Sequence, residues 1–216
     1  HWYTWHQIPF DTDYPEYFPV KEGFFEGVKQ LQKGGYGVMP YINGRLWDVD
    51  SASWKAEGAE QYATKDETGK VYIENYGSGR DLAPMCPTQD FWGDKITGIV
   101  ERLTTEYDVN GVYIDQVGAA APTICLDPSH GHPLGGGDWW VTGYRRWLLA
   151  LRAELKQRAP EKFLTTESNA EPYIDCFDAY LMCNSTRSNL VPLFSTIYND
   201  YILTFGRYFN DPHDRP

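Results

Sequence analysis

The sequence has no CxxC pair, no glycine-rich loop directly behind a strand and no apolar run near the ~20 residues that span a bilayer. It is also short of positive charge, with 19 Lys and Arg against 30 Asp and Glu, for a formal net charge of -11. Each shortage excludes something. A surface this acidic repels phosphate backbones and anionic lipid, so neither nucleic acid nor membrane is an expected partner. Without CxxC spacing, Cys86, Cys125, Cys176 and Cys183 read as buried or loop thiols rather than as a structural zinc site, and a Cys86–Cys125 bridge between two loops stays open. The missing phosphate loop ranks an open doubly wound sheet below a barrel. Residues His1 to His6 carry neither the basic start nor the apolar stretch of a signal peptide. The chain reads as beginning inside a strand, so this leaves export open, and the expectation leans to a secreted or periplasmic protein over a cytoplasmic one. No cofactor, repeat or low-complexity segment is expected.

Aromatic residues are plentiful, at 16% with 8 Trp and 16 Tyr. They suit a well-filled core, and they equally suit a sugar site, where pyranose C–H faces stack on rings; position along the chain has to decide. Short apolar runs alternate with amphipathic helices, which points to α/β with parallel strands. Six sheet strands are expected: Trp2–Trp5, Tyr36–Ile42, Gly111–Asp115, Lys162–Thr166, Phe177–Cys183 and Val191–Tyr198. Helices are expected over Lys21–Lys33, Thr88–Tyr107 with Thr88 as N-cap, and Asp138–Arg158. A hairpin of Gln61–Thr64 and Lys70–Glu74 belongs to an inserted subdomain at about 51–87. The expected fold is a single (β/α)8 TIM barrel over 1–216, incomplete in this chain because eight strands typically need ~250 residues. Flanking segments or a partner chain are then needed to close it, since an open barrel exposes strand edges.

In a parallel barrel the site forms where strands end. The rim so defined holds Trp5 and His6, then Tyr41, Asn43, Arg45 and Asp48, then Asp115 and Gln116, then Glu167, Ser168, Asn169 and Glu171, with Asn184, Tyr198 and Asn199 beyond. Carboxylates, amides and aromatics suit an oligo- or polysaccharide or glycoconjugate, and the cluster of Lys and Arg that phosphate requires is missing. Adjacent parallel strands lie ~4.8 Å apart, so Asp115 and Glu167 can face each other at the separation of a retaining glycosidase. Short Asp115 suits a nucleophile and longer Glu167 an acid/base, with Glu171 as competitor four residues on. Trp139, at a helix start, is a candidate stacking platform. Arg45 and Asp48 either bind hydroxyls or pair with each other. His130 and His132 form an HxH pair that could bond backbone, bond sugar hydroxyls or hold a metal, but no third ligand stands at readable spacing, and no metal is expected.

The segments Gly111-Val-Tyr-Ile-Asp115-Gln116, Ser129-His-Gly-His-Pro-Leu-Gly-Gly-Gly137 and Thr165-Thr-Glu-Ser-Asn-Ala-Glu-Pro-Tyr173 resemble a bacterial family of barrel proteins described as glycoside-hydrolase-like. More distantly the layout is similar to the α-amylase superfamily and to endo-α-N-acetylgalactosaminidases. That resemblance implies a glycosidase acting on an α-linkage, with an Asp nucleophile after the fourth barrel strand, here Asp115, and a Glu acid/base after the fifth, here Glu167. Two departures stand out: Tyr113 occupies the position of an Arg two residues before the nucleophile, and only Asp200 could match the third carboxylate. The competing expectations are a carbohydrate-binding barrel without catalysis and a metal-dependent hydrolase built on His130, His132 and Asp115.

Overall fold

The computed structural model describes residues 1–183 and 191–206; Asn184 lies outside them. Five parallel strands form the main sheet. They are β1 (Tyr41–Asn43), β4 (Gly111–Asp115), β5 (Phe163–Glu167), β6 (Ala179–Met182) and β7 (Leu203–Gly206), adjacent in that order. A small antiparallel pair, β2 (Leu46–Asp48) with β3 (Leu82–Pro84), stands beside it. The helices are α1 (Phe24–Lys33), α2 (Ala52–Ala56), α3 (Asp90–Thr105), α4 (Trp139–Arg158) and α5 (Leu193–Tyr198). None among the described residues is long and apolar enough to cross a membrane.

The two long helices follow their sequence periodicity. On α3, Trp92, Ile96, Ile99, Val100 and Leu103 are buried; on α4, Trp140, Tyr144, Trp147, Leu148, Leu151 and Leu155 are. That spacing of three and four puts one stripe against the sheet. Both helices also reach the bend after β1, where Trp92 Nε1 and the Tyr144 hydroxyl donate to the Gly44 carbonyl at 3.0 and 3.4 Å.

Several expected elements differ. Val191–Tyr198 contains helix α5, and the strand is β7, which begins beyond it at Leu203. A short apolar run does not distinguish helix from strand, and here the i, i+4 pair Phe194 and Tyr198 stacks at 4.9 Å, a helical contact. Gln61 and Tyr62 lie in a 3-10 turn rather than a strand, and the 66–69 turn is closed by the single bridge Lys65–Val71. Trp2–Trp5 contributes one parallel bridge, Trp2 to Pro40, beside β1. Helix α3 begins after Gln89, and Thr88 instead places its hydroxyl 3.1 Å from the Cys86 sulfur. Among the described residues the sheet ends at β7, where Leu203 is exposed together with Val191, Leu193, Ile197 and Tyr201.

Candidate active site

Strand alternation puts residues i and i+2 on the same face, and parallel register carries that face across the sheet. Tyr41 pairs with Tyr113 and Asn43 with Asp115; Tyr113 pairs with Thr165 and Ile114 with Thr166, so Asp115 and Glu167 are the next residues along the two adjacent strands. Asn43, Asp115 and Glu167 therefore share a face at the carboxyl ends of three adjacent strands. The residues that follow the two carboxylates, Gln116 and Ser168, both adopt left-handed backbone, with φ of 67° and 61°. Such non-glycine positions are uncommon and costly, and they gather at functional sites.

Asp115 is 9% exposed. Its Oδ2 accepts from the Tyr41 hydroxyl at 2.9 Å and its Oδ1 from the Tyr113 hydroxyl at 3.0 Å. Burial first, then the charge of Glu167 and a hydrogen bond shared with it, push the Asp115 carboxyl up to about 8, against the pull of the two tyrosines. The Glu167 carboxylate is thus close enough to Asp115 to couple to it, and Asp115 is the member whose proton is held toward neutral pH. Glu167 Oε1 also accepts from the Cys183 thiol at 3.0 Å. The tyrosine hydroxyls beside Asp115 are driven far above their ordinary range by burial and by its charge, so both stay protonated donors. Tyr41 in turn lies within 3.5 Å of the Tyr14 hydroxyl.

A Cβ on Gly118 would sit 2.6 Å from the Glu167 carbonyl oxygen, so the loop leaving Asp115 can pass the end of β5 only with glycine there. Gly118→Ala is expected to cost about 1–3 kcal/mol by overpacking, read as a lowered denaturation midpoint.

The other expected rim residues have partners of their own. Trp5 is fully buried, donates from Nε1 to the Tyr41 carbonyl at 2.7 Å and stacks on Tyr17. His6 is buried beside it, its Nδ1 2.8 Å from the Ile8 carbonyl, and burial lowers its pKa. Arg45 and Asp48 do not pair with each other. Arg45 makes a two-pronged ion pair with Glu74, both contacts at 2.6 Å, and also reaches the Thr123 hydroxyl. Asp48 accepts from Arg80 and from the Asp13 backbone N–H, each at 2.7 Å. Glu171 is exposed and near Tyr198, whose hydroxyl it pushes up in pKa through a hydrogen bond; Asp115 is not part of that pair. Trp139 is stacked on His132 at 3.9 Å between ring centres. A groove of about 670 Å³ runs between residues 72–76 and 120–124, with Arg45 in its wall; Tyr76, on its edge, lies near Gln116, the residue after Asp115.

Sequence reasoning missed Tyr113 as a partner of Asp115, and with it the Cys183 contact to Glu167. The signal for Tyr113 was present: it stands two residues before Asp115 on one strand, hence on its face.

Paired carboxylates at the ends of neighbouring parallel strands are the arrangement found in barrel glycoside hydrolases. The chain belongs to the family described as "Domain of unknown function (DUF6259)", whose model matches residues 1–209. Its relatives carry glycosidase names. It is 43% identical over 209 residues to a Bacteroides thetaiotaomicron protein named "Putative glycoside hydrolase", covering 95% of this chain and 31% of that one. It is 36% identical over 234 residues to "Putative glycoside hydrolase 22789" of Monosiga brevicollis, covering 97% and 19%. The chain therefore spans a third or less of these relatives. Among solved structures, the ligand-free α-N-acetylgalactosaminidase NagBb of Bifidobacterium bifidum is similar in fold, with TM-score 0.71 at 14% identity over 93% of this chain and 34% of that one. The α-galactosidase TtGalA of Thermus thermophilus, in complex with stachyose, gives TM-score 0.54 at 15% identity over 83% and 36%.

Proposed function

We propose that this chain is the catalytic part of a glycoside hydrolase that cleaves an α-linked glycosidic bond with retention of configuration. The observation that carries this reading is the Asp115–Glu167 pair: two carboxyl groups at adjacent strand ends, close enough to couple electrostatically, one of them held by two tyrosine hydroxyls. Such proximity fits the short separation of retaining enzymes, ~5–5.5 Å, better than the wider gap that admits a water in inverting ones.

For the reaction Asp115 must be ionised, its oxygens held by the two tyrosine hydroxyls, and Glu167 must carry the proton. Glu167 then gives that proton to the glycosidic oxygen as the bond to the anomeric carbon breaks, and an Asp115 oxygen attacks that carbon to form a glycosyl ester. In the second half, Glu167 takes a proton from water, the water oxygen attacks the anomeric carbon, and Asp115 leaves as carboxylate. Tyr41 and Tyr113 fix the nucleophile's orientation. Asn43, on the same face, is fully buried, and its amide nitrogen has no hydrogen-bond partner among the described residues.

The α-linkage is supported by the names of the structural neighbours, an α-N-acetylgalactosaminidase and an α-galactosidase. We also read the fold as a TIM barrel completed by segments outside this chain, with 51–87 as an insert. The exposed apolar strip along β7 and α5 is the surface such segments would cover.

The test is a panel of aryl α-glycosides, including the α-N-acetylgalactosaminide and the α-galactoside, given to the full-length protein and followed by proton NMR. The expected first product is the α-anomer. An initial β-anomer would overturn retention, and sugar binding without turnover would make this a binding barrel.

A further inference from the structure

Away from the carboxylate pair, four ligand-type side chains converge. The sulfurs of Cys86 and Cys125 and one nitrogen each of His130 and His132 all lie within 4.8 Å of one another. A tetrahedral zinc ion bound at its ordinary Zn–S and Zn–N lengths would have ligand–ligand edges of roughly 3.3–3.8 Å. The Cys125 Sγ to His130 Nδ1 distance is already 3.3 Å.

The tautomers are set for coordination. His130 Nε2 lies 2.8 Å from the Gln61 carbonyl, so it carries the proton and donates, which leaves Nδ1 bare toward Cys125. His132 Nδ1 lies 2.9 Å from the Pro133 carbonyl and donates likewise. Its Nε2 is then a bare lone pair, buried and without a hydrogen-bond partner among the described residues. Metal-bound histidines are held in this way, the far ring N–H fixed by a backbone carbonyl. The His132 ring is also fixed by its stack on Trp139, 7° from parallel. Thr88 places a hydroxyl 3.1 Å from Cys86 Sγ, a donor for a thiolate.

We propose that Cys86, Cys125, His130 and His132 bind a divalent ion of the zinc class as a closed, four-ligand structural site. Two thiolates cancel the charge of the ion, so the loaded site is neutral and suits burial; binding releases the two thiol protons to solvent. The ion would tie the loop that leaves Asp115 to the segment that enters α3. All four positions are filled by protein, so it is a staple and leaves no open position for a substrate or activated water. The inference does not depend on glycosidase activity.

The test uses full-length protein purified without chelator. Elemental analysis is expected to find one zinc per chain. Exchange for cobalt(II) is expected to give the visible bands of a tetrahedral ion with thiolate-to-metal absorption in the near ultraviolet. Removing the metal with a strong chelator is expected to lower Tm by on the order of 5 °C and to make Cys86 and Cys125 reactive to a thiol reagent. Cys125→Ser is expected to lose the ion; because that variant can fail to fold, His132→Ala, whose ring is only partly buried, is the second, expected to keep its fold and change the cobalt spectrum. Metal-free folded protein whose two thiols are free, or a mass two hydrogens lower from a Cys86–Cys125 disulfide, would overturn the proposal. So would a cobalt spectrum unchanged in His132→Ala.

Discussion

Asp115→Asn is expected to lower kcat of the full-length protein on an aryl α-glycoside by about four orders of magnitude or more, the size of loss met when a nucleophile is removed from a concerted set. The same substitution is expected to make the protein more stable. Asp115 is buried against a second carboxyl, and its pKa stands at about 8 in the folded chain against an ordinary 3.8. Below pH 4 the group is protonated in both folded and unfolded chains and costs nothing. As pH rises from 4 to 8 the unfolded chain loses the proton and the folded chain keeps it, so stability falls across that window and then levels. Each tenfold difference in proton affinity between the two states is worth about 1.4 kcal/mol, so the gain from neutral Asn is on the order of a few kcal/mol at pH 8 and near zero at pH 4. Denaturation midpoints of both proteins at the two pH values read the difference directly. A variant that loses turnover and gains stability is the signature of a site strained for function. Equal activity in the two proteins would remove Asp115 from the mechanism.

The carboxylate pair was legible in the sequence because its logic is local. An apolar run that ends on Asp115 and another that ends on Glu167, joined by a single helix, place both groups at neighbouring strand ends whatever the rest of the chain does. The long helices were legible for the same reason, since α3 and α4 carry their stripes in adjacent turns. What failed was the reading of weak or distant signals. Val191–Tyr198 is apolar without period, and its helix over Leu193–Tyr198 shows only in the structure, where Phe194 meets Tyr198 one turn on and packs against Tyr180. Arg45 and Asp48 are three residues apart, on opposite faces in extended chain, so each found a partner from elsewhere, Glu74 and Arg80. The Cys and His cluster draws on two segments far apart in sequence. No spacing rule covers that distance, and only the meeting of the loop after β4 with the start of α3 makes the four residues neighbours.

Glu74→Ala is expected to cost about 3 kcal/mol at neutral pH, more than any surface ion pair could. The reason is the partner it abandons. The Arg45 side chain is 3% exposed, and its two terminal nitrogens are both occupied by Glu74. Without the carboxylate, a guanidinium that cannot lose its proton is left buried with the Thr123 hydroxyl, the Ala121 carbonyl and the face of the Trp140 ring for compensation. Burial raises the Glu74 pKa, but the hydrogen bonds from Arg45 and Tyr76 outweigh it and the net shift is downward. The stabilisation from this pair is therefore complete above the ordinary carboxylate pKa and is lost as pH falls through the lowered folded value. Glu74→Gln, which keeps a carbonyl acceptor, should fall between wild type and Glu74→Ala. The consequence extends to the site. Tyr76 donates to Glu74 at 2.6 Å and lies near Gln116, so one ion pair joins the 72–76 segment to the loop at 121–123, close to the residue that follows Asp115. Loss of the pair should loosen the groove wall before it unfolds the sheet, so hydrogen exchange at 72–76 and 120–124 is expected to rise in Glu74→Ala under conditions where β4 and β5 stay protected. Uniform exchange across both regions would show instead that the clamp and the sheet open as one unit.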